Sequence, residues 1–457
     1  MRLEAKTSIV SAFFVSTKAL MSQKKGEARP MMKKAVILAA GDSTRMLPLS
    51  ANQPKHLLPI AGKPLIFHTL EALQNAGITE VLIIYGYHKE KLSEAIESRD
   101  WGNLTVSYVH QEERKGTAHA AGHAREFVGD DSSILMNGDI MLGPGSFEGL
   151  ISYHQKGGYG LTLSVRPVDD PSEYGVVAVE DGKAVKLIEK PTKDQEISNL
   201  VNAGLYVVNK SLMDAISETK LSPRREYEIT DSIGMLIEKG NVGGYMLPSW
   251  WLDIGKPWDL LVANEKILSQ TPGKIEGTVE ECAVIKGETT VQKGAIIKSG
   301  AYIEGPAIIG ENSVIGPNCY IRAHTAIGNN VRIGNAVEIK NSIIMDGTNI
   351  GHLSYVGDSV IGRSSNFGAG TITANLRHDN GDISVTVKDK RVSSGRRKLG
   401  AIIGDNVKTG IGTSISPGVV MHQGARTGIG VIVLRDIKPF EMVIARQEQK
   451  IIELDRV

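Results

Sequence analysis

Five residues, Gly41-Asp42-Ser43-Thr44-Arg45, follow directly on a short apolar run at 35–40. Small side chains in such a loop leave backbone N–H groups open to phosphate oxygens. The Arg45 guanidinium adds a charged fork that matches paired phosphate oxygens. A second polar set lies far along the chain: Lys340, His352, Tyr355, Asp358, Asn366 and Asn375. An imidazole there can exchange a proton near neutral pH, and a lysine can hold an anion.

The elements that position these groups follow from hydrophobic spacing. The run 35–40 reads as a strand buried on both faces, 64–76 as an amphipathic helix stopped by Gly77, and 80–85 as a second buried strand. This βαβ unit puts residues 41–45 at the carboxyl end of a strand, where open α/β sheets bind ligands. Further on, Asp181-Gly182 marks a hairpin turn that Gly175 opens. Residues 258–270 read as a helix ended by Thr271-Pro272-Gly273.

From Ile285 an aliphatic residue returns at every sixth position as far as Ile339, with a small residue two places ahead of each. Neither a helix nor an ordinary strand has that period. A left-handed parallel β-helix does, with three short strands to a coil of about eighteen residues. The register slips to Ile344, Ile350 and Val356, slips again to Ile361 and Phe367, breaks over 374–398, and resumes at Ile403. The anchors predict about seven coils. The second polar set clusters where the period fails, and a sequence that breaks its own local rule marks a candidate site. The break also carries a basic arm with Lys388, Lys390, Arg391, Arg396, Arg397 and Lys398. Such a cluster is a strong partner for phosphate groups.

Composition sets the outer limits. With 52 Lys and Arg against 51 Asp and Glu, the net charge is +1, so no global field draws nucleic acid or a membrane surface. Two cysteines, Cys282 and Cys319, form no disulfide or zinc pattern, which suggests a reducing, cytoplasmic setting. No run is long and apolar enough to span a bilayer. Residues 1–32 are expected to be a disordered extension, and 434–457 leave the repeat and read as a terminal cap.

The stretch Leu38-Ala39-Ala40-Gly41-Asp42-Ser43-Thr44-Arg45-Met46, with Pro54-Lys55 and Gly62-Lys63-Pro64, resembles the start of the sugar-1-phosphate nucleotidylyltransferase family. Gln111, Gly116-Thr117, Asn137-Gly138-Asp139, Tyr174-Gly175, Glu189-Lys190-Pro191, Asn202-Ala203-Gly204 and Trp251-Leu252-Asp253 follow in family order. The resemblance implies an α/β, Rossmann-like domain in which a sugar phosphate attacks the α-phosphate of a nucleoside triphosphate. It implies that Leu38, Ala39, Ala40, Gly41, Gln111, Gly116 and Thr117 hold the nucleotide. Arg45 holds the pyrophosphate, Lys55 the α-phosphate, and Gly175, Glu189 and Asn202 the sugar. Asp139 and Asp253, hard oxygen donors, match the family's Mg2+ pair. The family usually has glycine where this chain has Ser43; if that position needs positive φ, serine costs about 1 kcal/mol.

The residues around the register slips resemble the acetyltransferase half of the GlmU-like bifunctional sugar-1-phosphate nucleotidylyltransferase/acetyltransferase family, in an archaeal-type variant. This likeness implies acetyl-CoA as co-substrate, His352 as the base, and Arg322 and Lys340 on the sugar phosphate. Tyr355, Asn366 and Asn375 orient the sugar and the base. It also implies a homotrimer with this site between subunits. After Asn375 the bacterial pattern has tyrosine where this chain has Leu376, one hydroxyl fewer in the acceptor pocket.

The expected product is UDP-N-acetylglucosamine, made from UTP or dTTP and an amino-sugar 1-phosphate, glucosamine or galactosamine. Two other readings stay open: a glucose- or mannose-1-phosphate nucleotidylyltransferase with the β-helix as scaffold, and a non-enzymatic assembly protein. The expected domains are 33–256 for nucleotidyl transfer, a helical linker at 257–273, the β-helix at 274–435 and a cap at 436–457.

Overall fold

The computed structural model describes residues 32–452; the extension expected over 1–32 lies, except for Met32, outside the described residues. From Lys33 onward the described residues belong to one compact unit. Its first half is built on a nine-stranded mixed sheet. The strand Lys34–Ala39 sits near the sheet's middle, parallel to Glu80–Tyr85 on one side and to Ser133–Asn137 on the other. Its side chains from Ala35 to Ile37 are wholly buried, as a continuous apolar run in a parallel sheet requires. The helix Leu65–Asn75 ends just before Gly77, whose φ of +88° suits glycine. Beyond Ser133–Asn137 the sheet turns antiparallel, through Leu200–Val208 to the hairpin of Gly175–Glu180 and Lys183–Glu189. That hairpin turns at Asp181 and Gly182, both at positive φ.

The second half is a left-handed parallel β-helix, in agreement with the six-residue period. Its three sheets hold nine, eight and seven strands. The third matches the expected seven coils. The nine-stranded sheet gains a strand at each end, Thr278–Val279 ahead of the first anchor and Met442–Val443 after the last, and the eight-stranded sheet gains Ile372–Thr373 just before the break. The aliphatic anchors fill one continuous core, and Cys319 lies in it. Each slip is a corner one residue shorter. Ile303 pairs with Ile321, but Ile339 pairs with Val356 and Ile344 with Ile361.

Outward residues of the third sheet are apolar, and this decides how the halves sit. Ile308, Ala326, Ile343, Val360, Ile402 and Val420 join one cluster with Met46, Leu49, Ile60, Trp258 and Leu261 of the first half. Of the segment expected to be helical at 258–270, Asp259–Leu268 is helix, and its Asn264 bridges the halves. The amide takes the Ala61 N–H at 2.9 Å and donates to the His324 carbonyl at 2.8 Å. The arm folds back onto the same face. Its hairpin, Ser384–Val387 and Lys390–Ser393, buries Ile383 and Val385 in that cluster beside Met46 and Leu49. No helix among the described residues is long and apolar enough to cross a membrane.

Candidate active sites

The carboxyl end of the central strands gathers the first set of side chains. Leu38 accepts the Gly138 N–H at 2.8 Å, which brings Asn137-Gly138-Asp139 against the start of the phosphate loop. The strand Trp251–Asp253 pairs antiparallel with Ile140–Leu142, and the Ile254 N–H donates to the Asp139 carbonyl at 2.8 Å. Asp253 is thereby set beside Asp139. Lys55, buried on a short 3-10 turn, forms an ion pair with Asp139. Burial and the Asp139 charge push the Asp253 carboxyl up to about 7. Burial opposes the Asp139 charge too, but the Lys55 ammonium prevails and holds that carboxyl below its usual range. Arg45 stands on the other side: a Cβ at Gly255 would lie 3.7 Å from Asp253 Oδ2 and 3.9 Å from Arg45 Nη1. Two carboxylates and two cations thus share one pocket, an arrangement suited to a metal-bridged polyphosphate.

The residues expected to hold the nucleotide are also fixed in place. Gly41 is open, with no heavy atom within 4 Å of an added Cβ, while Gly116 (φ +111°) would press one against the Tyr227 backbone at 2.4 Å. Thr117 Oγ1 accepts the Ile229 N–H at 3.0 Å, so this hydroxyl fixes the loop. Gln111 is buried just past the strand Thr105–His110. On the sugar side Glu189 pairs with Gly175 across the hairpin, and burial raises its pKa. Asn202 sits at an irregularity of its strand and donates to the Tyr206 hydroxyl at 2.8 Å. Its neighbour Gly204 lies against the Asn137 side chain, so the motifs meet in space.

The β-helix carries a second constellation. Arg322 and Lys340 occupy matching positions on adjacent rungs of the second sheet, where the Arg322 N–H donates to the Ile339 carbonyl at 2.8 Å. The Lys340 ammonium lies 3.0 Å from Asp358 Oδ2. Asn375 donates to the same carboxylate at 2.6 Å and to the Tyr355 hydroxyl at 3.0 Å. His352 is exposed at the corner between the first and second sheets, ending the strand Asn349–His352. Asn366 lies on the first sheet and accepts from Asn349 at 2.8 Å. Lys340, Tyr355 and Asn375 are therefore joined through hydrogen bonds and an ion pair, whereas His352 and Asn366 belong to the neighbouring face and its corner.

Residues 34–270 match the nucleotidyl transferase family, and residues 303–423 match the GMPPB C-terminal domain. The bifunctional protein GlmU of Methanococcus maripaludis strain C7 is 45% identical, over 91% of this chain and 98% of its own length. The chain belongs to the bifunctional GlmU family. GlmU of Methanocaldococcus jannaschii is 42% identical over the same shares. A bifunctional sugar-1-phosphate nucleotidylyltransferase/acetyltransferase of Sulfurisphaera tokodaii is 39% identical, over 88% of this chain and 98% of its own.

Two residues take on a role that only the structure brings out. Asp358, one of the polar residues where the period fails, is buried, at a positive φ of 49°, and ties Lys340, Asn341 and Asn375 together. A lone Asp in a polar loop carries no signal of such a knot. Arg224 lies 3.3 Å from Glu189 and also pairs with Glu228, which no motif indicated. Replacing Asp358 by alanine leaves the Lys340 ammonium half-buried and unpaired; we expect a loss of about 3 kcal/mol, read by urea denaturation.

The arm reaches the first half. Its tip, Lys388-Asp389, points Lys388 to within 3.9 Å of Asp42 in the phosphate loop of the first half. At its base the Arg397 guanidinium donates to Asn380 at 2.8 Å. The loop at 41–45 also contains the awkward serine. Ser43 sits in the left-handed region at φ 53°, where L-residues are strained. Ser43→Gly should relieve about 0.5–1 kcal/mol, less than the full strain because glycine loosens the unfolded chain. A higher midpoint in chemical denaturation checks this.

Proposed function

We propose that this chain makes UDP-N-acetylglucosamine by two reactions at two sites: acetyl transfer to glucosamine 1-phosphate, then uridylyl transfer to the acetylated product. The observation that carries this reading is that one chain holds both constellations, the Asp139, Asp253, Lys55 and Arg45 pocket and the Asp358-centred knot beside His352.

At the first site an oxygen of the sugar phosphate attacks the α-phosphorus of UTP, the α–β phosphoanhydride bond breaks, and pyrophosphate leaves. Lys55 neutralises the α-phosphate, and Arg45 holds the departing pyrophosphate. Gln111, Gly116 and Thr117 place the base, with Leu38, Ala39, Ala40 and Gly41 lining the nucleotide. Gly175, Glu189 and Asn202 hold the sugar. Asp139 and Asp253 fit a Mg2+ ion: they are two adjacent carboxylates, one with its ionisation suppressed by burial and then by the other, and Mg2+ typically takes one or two protein carboxylates beside substrate phosphates. Such an ion supplies charge neutralisation along the polyphosphate.

At the second site the amine nitrogen of glucosamine 1-phosphate attacks the thioester carbon of acetyl-CoA. The C–N bond forms, the C–S bond breaks, and the coenzyme leaves as a thiolate that takes up a proton. His352 accepts the proton the amine sheds. Arg322 and Lys340 bind the sugar phosphate, while Tyr355, Asn366 and Asn375 orient the sugar and the base.

Because these groups divide between two faces, a site closed by a neighbouring copy is the natural arrangement, and we assign a homotrimer. Support comes from apolar side chains left exposed near the end of the β-helix, including Ile429, Ile432, Leu434, Phe440 and Met442. The tail itself stacks on the last coil, Met442–Val443 pairing with Arg426–Thr427, as a cap would. We place the protein in the cytoplasm, consistent with its unpaired Cys282 and Cys319. The domains are assigned as 33–256, a helical linker at 257–273, the β-helix at 274–435 and, with that pairing, a cap at 436–457. Light scattering on the purified chain tests the assembly: a mass three times that of the monomer supports it, and a monomer that acetylates contradicts it.

A further inference from the structure

Gln111 has two amide hydrogens and one carbonyl oxygen to offer, and which of them faces a bound base decides what that base must present. Its Nε2 lies 2.8 Å from His119 Nδ1 and 3.3 Å from the Gly116 carbonyl. An amide nitrogen donates and does not accept, so Nδ1 must be the acceptor and the neutral His119 ring carries its proton on Nε2. Both amide hydrogens are thereby engaged. The Gly116 carbonyl cannot swing away easily, since its residue is wedged against the Tyr227 backbone at a φ that only glycine favours. His119 sits in the short helix Thr117–Gly122, its ring edge-on to His123 with centroids 5.0 Å apart. Partial burial, and then His123 and Lys115, lower its pKa against the opposing charge of Glu113.

We propose that His119 is a positioning residue for nucleotide choice: it holds the Gln111 amide with Oε1 turned toward the base and so selects a base that offers an N–H there. The inference rests on the reading that Gln111 meets the base. Uracil and thymine carry an N–H at N3. Cytosine carries a bare acceptor at N3, so two lone pairs would face each other. Without His119 only the longer 3.3 Å bond to the Gly116 carbonyl opposes the amide's turning over to present Nε2 to cytosine.

The test uses the full-length enzyme with N-acetylglucosamine 1-phosphate and either UTP or CTP, and reads the ratio of the two kcat/KM values, with acetyl transfer as a control for folding. His119→Leu removes the acceptor at similar size, His119→Asn restores one near the Nδ1 position, and Gln111→Ala removes the reader. The preference for UTP over CTP should fall about tenfold or more in His119→Leu and largely return in His119→Asn. Equal losses in both His119 variants would mark a packing role and overturn the proposal. So would an unchanged ratio in His119→Leu beside a lowered one in Gln111→Ala, with base reading by Gln111 left standing. A Gln111→Ala enzyme with unchanged ratio and unchanged KM for UTP would remove the underlying reading itself.

Discussion

Asp253→Asn is expected to lower uridylyl transfer by about a thousandfold or more, while acetyl transfer by the same protein stays within about twofold. The first figure follows from removing a charge-stabilising group worth several kcal/mol in a buried pocket. The second follows because Asp253 lies in the first half, at the carboxyl end of the mixed sheet, and the His352 corner lies on the β-helix. Separate assays of the two half-reactions on one preparation check both numbers.

The same residue gives a pH dependence whose sign is fixed. Asp253 is raised from an unfolded value near 3.8 to about 7 in the fold. The folded protein therefore holds a proton over that interval which the unfolded chain has released. Stability contributed by this group is fully present below about pH 4 and is lost as pH rises through about 7. Without divalent cation, the thermal midpoint should fall between pH 6 and pH 8, and Asp253→Asn should reduce the fall. Added Mg2+ should raise the midpoint more at pH 8, where Asp253 is ionised, than at pH 6. A Mg2+ effect of equal size at both values would show that Asp253 is no ligand.

His352→Ala is expected to reduce acetyl transfer by about a hundred- to ten-thousandfold, the range typical of losing a general base. Uridylyl transfer from UTP to N-acetylglucosamine 1-phosphate should be unchanged. His352 is exposed and ends a strand, and among the described residues its side chain takes part in no hydrogen bond that folding depends on. The variant should therefore fold normally. A restored bell-shaped pH profile with a substituted base, His352→Glu, would separate proton transfer from mere shape.

How much of this was legible in the sequence depends on the kind of order involved. The β-helix was legible because its core repeats: one inward aliphatic residue in six survives any detail of the corners. The phosphate loop was legible because a buried strand ending in small residues leaves few alternatives, and the left-handed Ser43 was anticipated as a condition. The Asp358 knot was not, since it joins Lys340, Asn341 and Asn375 across neighbouring coils and an inserted arm. The docking of that arm was also hidden. Its charges announced a phosphate partner, but its place is set by Ile383 and Val385, which need the apolar third face to pack against. Such placement is tertiary, and no local period encodes it.

One chain is expected to perform both reactions. Incubating the purified protein with glucosamine 1-phosphate, acetyl-CoA, UTP and Mg2+, and resolving the products by mass spectrometry, tests it most directly. The expected result is UDP-N-acetylglucosamine with release of free coenzyme A and pyrophosphate. Uridylyl transfer to supplied N-acetylglucosamine 1-phosphate, with no acetylated product from glucosamine 1-phosphate, would contradict it and leave the β-helix as a scaffold.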